Sequence, residues 1–499
     1  MRKLLYCLAA IALISFDSKA QTLSDVLRTG FTNPSGSARF LGAGGAMGAL
    51  GADFGAISVN PAGLGSYWTS EFVVSPSMLT SRTNSVLGNN TTNGRSVANL
   101  KMDNFGLIIN RNQQNGFLKA FNVALGMNKS ADFNNEFTFS GVTNGSIVER
   151  FTERANGNPL DQLDNFEGGL AYDAGAIYAP DESNNYINDF VDLNDGSYPF
   201  EVPKGQDIDE SGGISELTFG MAANLGNRFQ VGATVGVPYL NYEAVKRYSE
   251  SDDADEIPGF NSLEYGEYLN TTGFGINFKA GIIAKLTKNF SLGGAVHSPT
   301  RYRLTDNYNS QLTYNFTEQD GPREITKESP DGSFRYRLDS PWRVIGSVAF
   351  KKKVGKVAGF VNGDVEWIDY RTGSLDLGRF STNISDQILG ENINEDIESQ
   401  LLSVVNIKVG GELAYNKIRG RAGYNMIGSP FAADEGVFFP AYTLGIGWRE
   451  DKYYLDLGWR TQRINEGYIP YQVLDDDRLQ VTQNAKKMNK LAVTIGFQF

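Results

Sequence analysis

The sequence predicts an all-β fold, a closed fourteen-stranded antiparallel β-barrel that crosses a membrane. Three observations point to it. Apolar residues alternate with small or polar ones at a period of two along most of the chain, connections between these segments switch between short and long, and the last segment ends on Phe499. One face of such a strand suits lipid and the other suits a filled or wet lumen. Closure removes every free strand edge, which immersion in a bilayer requires.

The first segment concerns export. Arg2 and Lys3, the apolar stretch Leu4 to Ile14, and Ser18-Lys19-Ala20 have the layout of a secretory signal peptide over residues 1–20, with cleavage expected near Ala20. The apolar stretch is shorter than the ~20 residues a helical span needs. The single cysteine, Cys7, falls inside it, so no disulfide, zinc–cysteine site or thiol chemistry is expected after cleavage. No later apolar run is long enough for a membrane helix. The formal net charge of −12 argues against nucleic acid as a partner.

Residues 21–67 come next, with ten glycines, little alternation and the run Gly42-Ala43-Gly44-Gly45-Ala46-Met47-Gly48. A nucleotide loop fails here, because Met47 stands at the third glycine position and no Gly-Lys-Ser/Thr follows. Small residues let a backbone pack closely in a confined space. A segment of this kind, placed before a complete set of strands, is expected to be a hatch, a plug within the lumen.

The barrel itself is expected over residues 68–499. Its strands fall near 70–82, 99–111, 117–139, 214–225, 228–248, 263–286, 290–316, 333–351, 356–376, 402–415, 418–428, 438–449, 452–470 and 481–499. The last shows the pattern most clearly, with Leu491, Val493, Ile495, Phe497 and Phe499 on one face. Short turns such as Gly226-Asn227, Asn416-Lys417 and Glu450-Asp451 alternate with long connections such as 140–213 and 377–401. Short periplasmic turns and long external loops are the asymmetry of outer-membrane barrels. Short helices are expected in two external loops, from Ile384, Ile388, Ile393, Ile397 and Leu401, and more weakly from Leu160, Leu163, Phe166 and Leu170. Their apolar faces would either pack on each other or form a landing groove for a hydrophobic molecule.

Several motifs were weighed for chemistry. The stretch Asp207-x-Asp209-x-Ser211-Gly212 resembles half a calcium loop, but Thr218 stands where a bidentate Glu is required, so an acidic external loop is the expectation. Ser251 to Glu256 and Asp475 to Asp477 read the same way. His297, the sole histidine, points inward and away from its neighbour Ser298, so no hydrolase triad is marked. No catalytic residue, metal site or cofactor is expected.

Charges on the inward face form a candidate lumen network. Arg343, Asp364, Glu366, Lys408, Glu412, Arg419 and Arg421 fall there on neighbouring strands, followed by Arg449, Asp456 and Arg460. Buried charges persist when paired or hydrogen-bonded, so a structural network is the first expectation. The second is that an arginine or lysine holds a ligand carboxylate.

The stretches Gly51-Ala52-Asp53 and Val59-Asn60-Pro61-Ala62-Gly63-Leu64 resemble the hatch signature of the FadL / OMPP1 / TodX family of outer-membrane transport proteins. The runs 291–299, Pro341-Trp342-Arg343 and 363–370 are further echoes, so the resemblance spans nearly the whole chain. It implies a fourteen-stranded barrel with an N-terminal hatch. It also implies uptake of hydrophobic small molecules, such as long-chain fatty acids or aromatic hydrocarbons, released sideways through the wall. In this reading Asn60, Pro61, Ala62 and Gly63 form the hatch bend, where proline fixes its own φ and restricts the residue before it. The partners implied are a hydrophobic ligand and the lipid and lipopolysaccharide of the outer membrane. The alternative, a non-transporting subunit or docking platform, implies other envelope proteins.

Overall fold

The computed structural model describes residues 23–31, 35–113, 116–180, 184–192, 196–381, 383–474 and 479–499. The signal-peptide expectation for residues 1–20 and the acidic stretch Asp475 to Asp477 lie outside them.

The wall is a closed antiparallel sheet. Its fourteen positions are taken in order by β1 (Glu71–Leu87), β3 (Val97–Asn112), β4 (Leu118–Asp132), β6 (Glu201–Leu225), β7 (Phe229–Ser251), β8 (Phe260–Lys285) and β9 (Phe290–His297), then by β13 (Trp342–Val354), β14 (Val357–Asp369), β16 (Ser403–Tyr415), β17 (Ile418–Gly428), β18 (Phe438–Arg449), β19 (Tyr453–Tyr468) and β20 (Thr482–Gln498). Pairing of β20 back onto β1, with Phe72 opposite Phe497, closes the ring. Remaining strands extend the wall outward: β2 (Asn90–Asn93), β5 (Asn135–Asn144), β10 (Arg301–Glu318), β11 (Gly321–Glu328), β12 (Gly332–Asp339) and β15 (Ser374–Asp376).

The expected count of fourteen is therefore met, and the differences lie within strands. Four segments expected as single strands are broken. The third wall strand bends at Phe133-Asn134 between β4 and β5, and the others break at Ser298-Pro299-Thr300, at Ser340-Pro341 and at Tyr370 to Gly373. Two of these breaks carry a proline, which has no N–H to give the ladder. Serine hydroxyls replace part of what is lost. Ser298 Oγ accepts from the Phe278 N–H at 3.0 Å, and Ser340 Oγ accepts from the Thr300 N–H at 2.9 Å. These breaks adjoin one another, since His297 pairs with Lys279 and Arg343, and Arg301 pairs with Ile276 and Asp339. Pairing of β7 with β8 also skips Val237 and Pro238 at this level. On this side of the barrel a line of interruptions thus marks where the lower cylinder gives way to an upper collar, while β6, β7 and β8 run on through it.

The outer surface of the cylinder is apolar. Val344, Val348, Val361, Val365, Ile407, Leu444 and Leu457 are all exposed on it. Aromatic residues flank this band, with Tyr239, Trp342, Trp367 and Tyr442 on the collar side and Phe229, Phe350, Trp448 and Tyr453 on the side of the short turns. A closed barrel with a lipid-facing band between aromatic girdles is a transmembrane barrel of the outer-membrane type. Strands β6, β7 and β8 have 25, 23 and 26 residues, well beyond the roughly 9–11 needed to cross. Their upper halves form the collar.

One expectation is overturned here. Asp207, Asp209 and Ser211 do not lie in a loop. They belong to β6, which starts at Glu201 and pairs with β5 and β7 through this region. Gly212 and Gly213, at φ of 108° and 157°, let the strand bulge and continue where side chains would stop it.

External helices cap the collar. Helices α3 (Ile147–Ala155) and α4 (Gly168–Ala174) bury Phe151 and Leu170 against Tyr248, Phe260, Tyr265 and Tyr314 of the strand tops. The expected helix through Leu160 and Leu163 is only a short 3-10 turn at Leu160–Gln162. Helix α5 (Ile384–Gln400) forms as expected but splits its apolar face. Ile393, Ile397 and Leu401 are buried, whereas Ile384 and Ile388 are 70% and 52% exposed.

Candidate functional site: the plugged lumen

The chain before β1 fills the lumen in two pieces. Helix α1 (Leu23–Gly30) lies high in the collar, close to α5, with Val26 fully buried among Leu240, Tyr336, Leu375 and Ile397. Arg28 pairs with Asp25 one turn earlier and stacks 3.6 Å from the Tyr242 ring centroid. Below it, residues 35–70 fold into α2 (Ala38–Gly42) and two 3-10 turns, Gly55–Ser58 and Pro61–Ser66.

Asp53 organises the first piece of this lower plug. Ser37 caps α2 by accepting from the Phe40 N–H at 3.0 Å, and its hydroxyl donates to Asp53 at 2.7 Å. The Gly55 N–H donates to the same carboxylate at 2.9 Å. Burial nevertheless pushes the Asp53 carboxyl above the usual range, with Arg39, Ser37 and Gly55 pulling the other way.

Asn60 organises the second piece. Its Oδ1 accepts from the Ala62 N–H at 3.0 Å and so caps the 3-10 turn that Pro61 begins. Its Nδ2 donates to Gly48 O at 2.7 Å, across the plug, and to Ile282 O at 3.2 Å, in the wall. Ala62 and Gly63 are buried behind it, and Gly63 O accepts from the Ala52 N–H at 3.1 Å. The four motif residues thus sit together as one turn that ties plug to wall. His297 ties it again, donating from Nε2 to Val59 O at 2.9 Å. Its role is that of a strut.

Plug and wall meet backbone to backbone. A Cβ placed on Gly410 of β16 would stand 1.9 Å from Ala43 O, and one on Gly232 of β7 would stand 2.4 Å from Pro61 O. Only glycine admits such an approach.

The seven candidate lumen charges form two ion-pair groups and one isolated carboxylate. In the first group Glu366 accepts from Lys408 at 2.9 Å and lies 3.4 Å from Arg343. Arg343 also donates to Gly30 O at the end of α1. In the second, Glu412 meets Arg421 at 2.6 Å and Arg419 at 4.0 Å, and Arg421 reaches on to Asp456 at 2.6 Å. Asp364 joins neither group by an ion pair. It accepts from the Gly48 N–H of the plug and from Asn362 Nδ2.

Sequence reasoning missed the partners contributed by the plug and by the other side of the barrel. Arg39 lies 3.4 Å from Glu412, and Lys279 pairs with Glu216 at 2.5 Å. Lys490 pairs with Asp103 at 2.7 Å and donates to Ser35 at 2.6 Å. Strand parity would have found Lys279 and Glu216, which face inward on β8 and β6. No periodic pattern marks Arg39.

A cavity opens between the plug and the wall breaks. Its free volume is about 110 Å³, below the roughly 300–1,000 Å³ of a typical small-molecule site, so a larger ligand needs the plug to shift. Its walls combine apolar Phe40, Val59, Ile214 and Ile345 with the cations Lys129, Lys279, Arg343 and Lys408 and the carboxylates Glu216 and Glu366. Asn128, Lys129 and Ser130 of β4 belong to the lining. Beside them the wall has a seam. The pairing of β3 with β4 runs from Asn112↔Ala120 to Asn104↔Asn128 and stops there, although both strands continue.

The molecule is thus a plugged fourteen-stranded outer-membrane barrel with a mixed polar and apolar cavity above the plug. No protein-family model and no curated protein matches its sequence. Among solved structures, it is similar to a Pseudomonas aeruginosa FadL homologue at a TM-score of 0.53 and 12% identity, covering 94% of this chain and 100% of that one. It is also similar to the Pseudomonas putida toluene transporter TodX at a TM-score of 0.50 and 11% identity, covering 94% and 99%. At this identity the likeness establishes the fold, which is the one the hatch motif implied.

Proposed function

We propose that this barrel takes up hydrophobic small molecules across the outer membrane, and that the ligand carries an acidic head. One observation carries the reading: an internal cavity with apolar and cationic walls is lined in part by Asn128, Lys129 and Ser130, where the pairing of β3 with β4 stops. Four cations line that cavity against Glu216 and Glu366, and with Lys129 held by Asp132 at 2.6 Å one positive charge is left over at the Arg343–Lys408 pair, which favours an anionic headgroup. Its apolar residues would take the tail. Long-chain fatty acids therefore fit better than the aromatic hydrocarbons suggested by the toluene transporter.

The ligand enters from the collar, rests above the plug and leaves sideways through the seam into the bilayer. Residues 21–67 act as the hatch, with Asn60, Pro61, Ala62 and Gly63 as its hinge turn. A shift of this turn would carry Val59 and Gly48 with it, because Asn60 and His297 couple them to the wall. Lys408 and Arg343 have the positions to hold a carboxylate, each already sharing Glu366.

The seam gives the test. Ser130 lines the cavity beside the seam. The variant Ser130→Cys, in a strain lacking the native gene, should import a radiolabelled long-chain fatty acid and lose import when a bulky maleimide is coupled at this position. Unchanged import after complete coupling would exclude release through this seam. Absence of import by the native protein would refute uptake itself.

A further inference from the structure

The chain is acidic overall, yet one patch of its periplasmic rim is the reverse. Lys285 and Lys288 flank the β8–β9 turn, and Lys351, Lys352, Lys353 and Lys356 flank the β13–β14 turn. These turns touch. Phe350 pairs with Phe290, and the Lys351 N–H donates to Asn289 O at 2.8 Å. Arg228 of the preceding turn joins them, since the Lys285 N–H donates to its carbonyl at 2.7 Å. Adjacent strands lie about 4.8 Å apart, so the group occupies a patch on the order of 20 Å wide.

No acid balances this patch locally. No Asp or Glu occurs between Glu267 and Asp306, or between Asp339 and Asp364. None of the six lysines makes an ion pair or side-chain hydrogen bond among the described residues. Five are exposed and Lys285 is half-buried. Six like charges this close repel one another, so their clustering needs a counter-charge from outside the chain.

The same turns are also greasy. Leu286 is 58% exposed, Val354 64% and Phe350 48%, all on the lipid side. Alternation along β13 puts Lys352 on that side too, between Phe350 and Val354. A lysine there extends its stem along apolar surface and its ammonium toward the headgroup layer. An acidic soluble protein would meet the lysines but leave Leu286, Phe350 and Val354 uncovered. A lipid covers both kinds of surface.

We propose that this patch is a binding site for anionic phospholipid headgroups in the periplasmic leaflet, with the lysines on the phosphates and the apolar residues on the acyl chains. It anchors one side of the barrel at a fixed depth.

The test compares lipids retained by the purified barrel after equilibration with mixed micelles of phosphatidylglycerol and phosphatidylcholine in equal parts, read by native mass spectrometry. Phosphatidylglycerol should be enriched at low salt and the enrichment lost at high salt. Each neutralised lysine should weaken it about fivefold, so K288Q/K352Q/K356Q, which removes two turn lysines and the lipid-facing one, should lower it on the order of a hundredfold. K327Q, on the exposed extracellular strand β11, should leave it unchanged. Heat-dependent migration on gels checks that each variant is a folded barrel. Equal retention of both lipids would overturn the proposal. So would full enrichment in a folded triple variant, or displacement by inorganic phosphate at concentrations matching the lipid, which would indicate a free-anion site.

Discussion

Replacing Asn60 by alanine removes three hydrogen bonds at the joint between plug and wall. The Oδ1 cap on the Ala62 N–H contributes about 1 kcal/mol. Losing Nδ2 leaves Gly48 O and Ile282 O short of a donor in a buried setting, at roughly 1 kcal/mol each. The sum, about 3 kcal/mol, acts on seating of the plug and not on the wall ladder. At about 1.4 kcal/mol per factor of ten, the unseated population rises on the order of a hundredfold. Hydrogen exchange followed by mass spectrometry measures this directly. Amides of residues 44–66 should exchange about a hundredfold faster, while those of β16 to β19 keep their protection. Asn60→Ser retains a cap but cannot reach both carbonyls, and should fall about fivefold short of the alanine effect. Unchanged exchange in the alanine variant would refute the assignment of Asn60 as the joint. Equal acceleration in plug and wall would mean that the two do not separate.

Three further outcomes are expected. Glu366→Gln leaves Lys408 and Arg343 without their shared carboxylate and should destabilise the barrel by about 3 kcal/mol in urea unfolding, with E366Q/K408M recovering much of the loss. Gly410→Ala drives a methyl into Ala43 O and should make residues 35–67 cleavable by protease in an otherwise intact barrel, a distortion of about 1–3 kcal/mol. Asp53 has a carboxyl raised by burial, so its contribution to plug stability is fully present below its unfolded pKa of about 3.9 and is lost as pH rises through the folded value. Asp53→Asn should accordingly flatten the rise in plug exchange rate on going from acid toward neutral pH, and an identical pH profile in both proteins would contradict this.

Much of the wall was legible because a barrel strand carries its orientation in its sequence. Period-two alternation put Arg343, Glu366, Lys408 and Glu412 on the inner face, and the structure finds them there and paired. What alternation could not give was height. Ser298-Pro299 and Ser340-Pro341 were in plain view, but a proline inside an alternating run signals a break without saying that neighbouring strands break at the same level. Asp207 to Gly213 looked like a loop because acids and paired glycines usually mark one. Here they lie in a collar strand exposed to water, where polarity costs little and the glycines absorb a bulge. Ser146-Ile147-Val148-Glu149 carried the N-terminal signal of α3, with Ser146 Oγ accepting from the Val148 N–H at 3.1 Å. The plug was recognisable as a plug from its glycines and its motif. Its partners were not, because a chain packed by backbone contacts has no periodicity from which Arg39 could be matched to Glu412.

Between β8 and β14 the interruptions divide two jobs that a continuous wall would bind together. Below them, hydrogen-bonded cylinder and lipid contact hold every strand to a strict side-chain code. Above them, β10, β11 and β12 pair among themselves and with β8, so an insertion or exchange of sequence there is absorbed before it reaches the membrane. This sector of the collar can therefore be rewritten by mutation at a pace the cylinder cannot follow, and what the cell surface presents can change while the barrel beneath it stays the same.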